Sequence, residues 1–206
     1  MIHAIVLAAG RSRRMGERVQ KLLLPFGGDT VIGRVVREVT SSPVDQTHVV
    51  VAPDTGRVRE ALSDMSPEFV LNPEPEGDML SSVRCGVRAL PAGCEAVLVA
   101  LGDQPTITSQ VIADMIEAFR DSDHRIVVPT YEGKRGHPLL FSGRYCQEVL
   151  DRYDNVGLRG LLRARSEEVL ELQTVDPTIL KDIDYPQDYV RALARLRAQG
   201  NRTWPT

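Results

Sequence analysis

Short apolar runs alternate with amphipathic stretches from residue 2 to about residue 120, and no other feature constrains the fold as tightly. Ile2 to Ala8 is apolar on both alternating faces, which predicts a parallel strand covered on two sides. Asp29 is placed to cap a helix through about Ser41 that buries Val31, Ile32, Val35, Val36 and Val39. Strands are predicted at Thr47 to Ala52, Phe69 to Leu71 and Ala96 to Leu101, with helices near Gly56 to Asp64, at Met79 to Leu90 opened by Ser81 or Ser82, and at Thr108 to Arg120. Further strands are predicted at Arg125 to Pro129, His137 to Phe141 and Val169 to Val175, with helices near Gly143 to Tyr153, Val156 to Arg165 and Tyr185 to Gln199. This order predicts an α/β fold, a mainly parallel sheet wrapped by helices in a Rossmann-like manner. One domain over residues 1–199 is expected, followed by a polar, flexible tail over 200–206.

Composition removes several function classes. With 42% hydrophobic and 26% charged residues, disorder and fibrous folds drop out. A net charge of −3 with interspersed signs gives no basic face, so no nucleic-acid partner is expected. Cys85, Cys94 and Cys146 match no zinc spacing, and their odd number argues against a disulfide framework. The apolar start is too short to span a bilayer and lacks a basic leader, so a cytoplasmic protein without membrane contact is expected. No heptad or large apolar stripe calls for an obligate partner, and a monomer is expected.

Ligands of open parallel sheets bind outside the carboxyl ends of the strands. Three unusual segments fall there: the loop after the first strand, residues Asn72 to Ser82, and Gly102-Asp103-Gln104-Pro105. The first reads Leu7-Ala8-Ala9-Gly10-Arg11-Ser12-Arg13-Arg14-Met15-Gly16, with Lys21 shortly after. Small residues let backbone N–H groups approach phosphate oxygens, while Arg and Lys bring charge. It is neither a Walker loop nor a dinucleotide fingerprint, because its glycines stand six apart and Glu17 follows the second. On composition alone, an exposed basic turn is an equal reading. Asp103 at a strand's carboxyl end is suited to a hard cation, and equally to a turn or cap. Asp182 and Asp184 alternate onto one side of an extended segment, and a helix-capping role competes there.

L-A-A-G-x-S-x-R-M-G followed by K-L-L-L-P resembles the opening of the MobA-like NTP transferases, and most of all the molybdenum cofactor cytidylyltransferases. Every fixed position is filled, although the spacer from Glu17 to Gln20 is long. The Asp103-Gln104-Pro105 turn, Asp182-Ile183-Asp184-Tyr185-Pro186-Gln187-Asp188, the Asn72 to Gly86 stretch and Gly136-His137-Pro138 resemble further blocks of that family. Tyr185 and Gln187 depart from its usual Thr and Glu, and Asp78 interrupts its Gly-Met pair.

The resemblance implies a single-domain, three-layer α/β/α fold of the nucleotide-diphospho-sugar transferase kind. It also implies transfer of a nucleoside monophosphate from an NTP to a phosphorylated acceptor, with release of pyrophosphate. The implied nucleotide contacts are Leu7, Ala8, Ala9, Gly10, Ser12, Arg14, Lys21, Asn72, Asp103 and a serine, Ser82 by one count and Ser81 by the other. Arg14, Lys21 and Asp103 are the implied catalytic groups. Mg2+ would sit on Asp103 and Asp184, with Asp182 in support. Gly136, His137 and Pro138 would line the acceptor pocket, and Arg11, Lys134 and Arg135 are further anion-binding candidates. Ala9, where guanylyl-transferring relatives tend to carry Gly, implies CTP as donor, with molybdopterin as acceptor. GTP, or a sugar or polyol phosphate acceptor, is the neighbouring reading. Outside enzymes, the resemblance allows an accessory protein that binds nucleotide and contacts a molybdenum hydroxylase transiently. A third reading, redox chemistry on a small aromatic molecule, has no flavin or dinucleotide motif behind it.

Overall fold

A computed structural model describes residues 1–10, 13–15, 20–53, 56–74 and 78–200. The strands are β1 (Ile2–Leu7), β2 (Pro25–Phe26), β3 (Asp29–Thr30), β4 (Gln46–Val51), β5 (Glu68–Leu71), β6 (Ala96–Leu101), β7 (Ile126–Tyr131), β8 (Lys134–Arg135), β9 (Leu139–Ser142) and β10 (Val169–Gln173). The helices are α1 (Val31–Thr40), α2 (Gly56–Ala61), α3 (Met79–Ala89), α4 (Ser109–Asp121), α5 (Cys146–Asp151), α6 (Leu158–Ala164) and α7 (Pro186–Gly200). The tail 201–206 lies outside the described residues.

The main sheet runs β10-β7-β9-β6-β1-β4-β5, with β8 paired to β7. β1 lies parallel between β4 and β6, and β10 is parallel to β7. β9 is antiparallel to both of its neighbours, β6 and β7. The sheet is thus mainly parallel with β8 and β9 reversed, because the chain returns from β7 through a short turn that leaves no room for a crossover helix.

Alternation along β1 divides the core. Ile2, Ala4 and Val6 face one cluster with α1 and α4, and Ile5 faces the other with α3, α5 and α6. The result is the three-layer arrangement. On α1, Val31, Ile32, Val35, Val36 and Val39 are completely buried as the periodicity predicts. Each such side chain contributes about 1.5–3 kcal/mol. Among the described residues no helix is long and apolar enough to cross a membrane.

Local chemistry corrects several boundaries. Thr30, not Asp29, caps α1, accepting from Gly33 N. Asp29 instead accepts from Thr30 N and pairs with Arg37 at 2.9 Å. α3 is capped by Asp78 and not by either serine: its carboxylate accepts from Ser81 N. The strand predicted from His137 begins at Leu139, which leaves Gly136-His137-Pro138 as the turn ahead of it. The β2–β3 hairpin and β8, each two residues per strand, had no readable period.

Arg84 on α3 fastens that helix to the stretch leading into α6. It donates to Val149 O, Arg152 O and the Asp154 carboxylate, with its side chain 18% exposed. We expect Arg84→Met to cost about 2–3 kcal/mol, since several charge-assisted bonds to carbonyls are left unmade; urea unfolding reads the loss.

His3 and His48, on neighbouring strands, share a buried contact of 3.1 Å between Nδ1 and Nε2. One ring must supply a lone pair, so the two cannot both be charged and keep it. Burial lowers both imidazoles, overriding Asp45 and Glu68 near His3 and Glu68 near His48. The unfolded chain therefore takes up protons at higher pH than the folded one. Stability is full above roughly pH 6.5 and declines as pH falls below it. His48→Gln should flatten that slope when urea midpoints are compared between pH 8 and pH 5.5; an unchanged slope refutes the assignment.

Candidate active site

Backbone contacts bring the carboxyl ends of β1, β4 and β6 to one place. Ala8 N donates to Val50 O, and Gly102 N donates to Leu7 O at 3.0 Å. A Cβ on Gly102 would stand 2.7 Å from Leu7 O, so only glycine lets the β6 turn close against the first loop. The turn then presents Asp103, whose carbonyl accepts from Ile183 N at 2.9 Å. Ile183 is buried, which directs its two neighbours, Asp182 and Asp184, to the other side. Asp188 braces this segment, its carboxylate accepting from Tyr185 N and Asp184 N at the start of α7.

Asp103, Asp182 and Asp184 consequently place carboxylate oxygens within 4.8 Å of one another. Lys21, 8% exposed, reaches into the group. Its Nζ lies 2.5 Å from Asp103 and 3.1 Å from Asp184. Arg14 pairs with Asp184 and lies 5.9 Å over the Tyr185 ring. Burial alone would lower the Lys21 ammonium, but Asp103, by charge and hydrogen bond, and then Asp184, hold it above its ordinary range. Burial likewise pushes Asp184 up, and Lys21 and Arg14 overcome this and hold it below the usual carboxylate range. Asp182 is raised by desolvation and by the Asp103 charge, which outweigh the opposing charge of Lys21. Three hard oxygen donors in this arrangement fit a divalent ion such as Mg2+ or Mn2+.

Two cavities meet at this cluster. One, of about 330 Å³, is lined by Leu7, Ala9, Gly10, Arg14, Ser82 and the three aspartates, among others. The second, of about 510 Å³, has Gln104, Gly136, His137, Leu139, Arg159 and Arg163 in its walls. Met79, Leu101 and Asp182 belong to both and form the seam. The Gly136 turn is set by a close approach, since a Cβ there would meet Ile179 O at 2.4 Å. His137 N and Gln104 Nε2 both donate to that same carbonyl.

A family model for the MobA-like NTP transferase domain matches residues 4–169. The chain belongs to this family. The molybdenum cofactor cytidylyltransferase of Escherichia coli K12 is 25% identical over 195 residues, which is 94% of this chain and 96% of that one. The bifunctional protein GlmU of Desulfotalea psychrophila is 29% identical over 126 residues, but this match spans only 37% of that protein's length. Among solved structures, a nucleotidyl transferase from Methanothermobacter superposes with a TM-score of 0.83 at 29% identity, covering 97% of this chain and 99% of that one. Rv0371c of Mycobacterium tuberculosis H37Rv, in a complex with manganese, gives 0.77 at 26% identity, covering 94% and 98%. The chain is therefore a nucleotidyltransferase of the MobA-like family, with a carboxylate cluster suited to a divalent metal.

The structure gathers most of the residues singled out from the sequence. Leu7, Ala9, Gly10, Arg14, Ser82, Asp103 and Asp184 line the first cavity, and Lys21 is bonded to two of its carboxylates. Ala8 is buried beside it. Ser12 and Arg11 lie outside the described residues. Of the two serines, Ser82 faces the cavity, while Ser81 donates to Asp78 O at the start of α3. Asn72 is 1% exposed and stands behind them, donating to both hydroxyls at 3.1 and 2.9 Å. It positions the serines and does not line the cavity. Gly136 and His137 line the second cavity; Pro138 is buried next to them. Arg135 lines it too but is paired with Glu171, and Lys134 is exposed. Sequence reading missed Met79, Arg159 and Arg163, which look like ordinary surface residues of two helices until the helices are packed.

Asp103→Ala should lower pyrophosphate release at least about a hundredfold, the scale of losing one charged group at a reacting centre. Mn2+ affinity should fall with it in a calorimetric titration, while NTP binding largely survives. Turnover within twofold of wild type contradicts the metal role of Asp103.

Proposed function

We propose that this chain is a cytoplasmic, magnesium-dependent enzyme that transfers CMP from CTP to the phosphate of molybdopterin, giving a cytosine dinucleotide cofactor and pyrophosphate. One observation carries the reading: three carboxylates and two cations converge at the seam between a small-residue loop cavity and a larger second cavity. A donor triphosphate belongs in the first cavity and an acceptor in the second, so that only the seam brings their phosphates together. Support for CTP comes from Ala9 in the lining of the first cavity. Support for the acceptor comes from similarity along 94% of the chain to a molybdenum cofactor cytidylyltransferase.

Asp103 and Asp184, with Asp182 beside them, would hold Mg2+, which supplies Lewis-acid polarisation and neutralises charge on the phosphates. The backbone at Ala9 and Gly10 allows close approach of nucleoside and phosphate, and Ser82 presents a hydroxyl to the same cavity. Arg14 and Lys21, already gathered around Asp184, can exchange carboxylate for phosphate oxygens and so compensate the charge that grows on the leaving group. The acceptor phosphate oxygen attacks the α-phosphorus in line. A new P–O bond forms as the α–β bridging bond breaks, and pyrophosphate departs with the electron pair. The attacking oxygen is ionised, so no general base is needed.

The test supplies Mg2+ and each of the four NTPs with and without molybdopterin and measures pyrophosphate. Release only with CTP and molybdopterin together is expected. Preference for GTP overturns the donor, and turnover with sugar phosphates but not molybdopterin overturns the acceptor. Tight nucleotide binding without turnover on any acceptor would favour the accessory role.

A further inference from the structure

The second cavity contains cations that take no part in the carboxylate cluster. Arg159 and Arg163 stand four residues apart on α6, hence on one helix face, and both line the cavity. Arg135 in the same wall is committed to Glu171 at 2.7 Å. Arg84, Arg144 and Arg165 nearby are likewise paired, with Asp154, Glu168 and Glu148. Among the described residues Arg159 and Arg163 have no hydrogen-bond or ion-pair partner.

The rest of the lining shows what kind of body accompanies an anion there. Val128, Leu139, Leu158 and Leu162 provide an apolar floor. Polar groups are few: Gln104 Nε2 is spent on the carbonyls of Thr178 and Ile179. His137 Nδ1 is buried without a partner. Burial lowers the His137 imidazole, with Asp182 opposing and Arg159 adding to the effect, so Asp182, His137 and Arg159 act on one another across one space. A polyol would set its hydroxyls against apolar surface that cannot repay their desolvation. A flat or apolar ring would cover that surface, and the two guanidinium groups would take up an anionic group attached to it.

We propose that Arg159 and Arg163 form a second anion subsite, which selects acceptors carrying an apolar or aromatic body and an anionic group besides the phosphate that reacts at the Asp182 seam. This rests on reading the larger cavity as the acceptor pocket. The two arginines are specificity residues: they hold the acceptor and take no part in the reacting bonds.

The full-length chain tests this in two arms. Naphthalene-1-sulfonate, one anion on an aromatic body, is titrated by fluorescence at low salt into wild type, Arg159→Met, Arg163→Met and the double variant. Methionine retains the apolar stem, and both side chains are exposed, so the variants keep the fold. Each single variant should weaken the probe several-fold and the double variant at least tenfold, with Arg159→Lys partly restoring binding and CTP affinity unchanged. In turnover with CTP and molybdopterin, the double variant should raise the KM for molybdopterin about tenfold and leave kcat and the KM for CTP within twofold. Equal probe affinity in wild type and double variant, or no probe binding to wild type, overturns the subsite. A wild type that binds the sulfonate through these arginines but transfers no CMP to molybdopterin refutes the proposed acceptor and leaves the subsite standing.

Discussion

Three carboxylates within 4.8 Å of one another repel strongly unless positive charge is placed among them. Lys21 and Arg14 supply it, and the site is organised around this balance. Lys21 is buried, and a buried ammonium is tolerated only with anionic partners. The cluster and its cations are therefore mutually dependent. A divalent ion and a triphosphate would change partners on both sides of this balance without changing its logic: metal for Lys21 on the carboxylates, phosphate for carboxylate on the cations.

The scaffold enforces that proximity through backbone contacts. Gly102 closes β6 against Leu7, and Ile183 N ties the loop ahead of α7 to the Asp103 carbonyl. Tyr189 Oη donates to Pro25 O at 2.6 Å, and α7 packs Leu193 and Leu196 onto the first core cluster. That helix thus returns to the segment just after Lys21. This is the parallel-sheet rule at work, with ligands gathered where strands end and loops begin.

Splitting the site into two cavities joined at Met79, Leu101 and Asp182 gives the fold a division of labour. The first is lined by small residues, Arg14 and four aspartates. The second is larger, with an apolar floor and guanidinium groups on its wall. Arg84 ties the helix bearing Ser82 to the stretch that leads into α6, so the walls of the two cavities share a mechanical link.

Periodicity indicated the layered, mainly parallel architecture and the buried face of α1, and motif order singled out Gly10, Arg14, Lys21, Asp103 and Asp184, which the structure places together. These were legible because each is local: a strand buried on both faces, a helix stripe and a glycine turn carry their signals within a few residues. Tertiary structure decided what depends on distant partners. It showed that Thr30 and Asp78 are the caps, that Asn72 stands behind Ser81 and Ser82, and that β9 runs antiparallel. It also brought Asp182 into the carboxylate cluster and turned Arg159 and Arg163 toward a cavity. Cap choice and strand direction turn on which of several competent groups the packed backbone reaches, and a guanidinium's role on which wall its helix is pressed against. Neither is written in neighbouring residues.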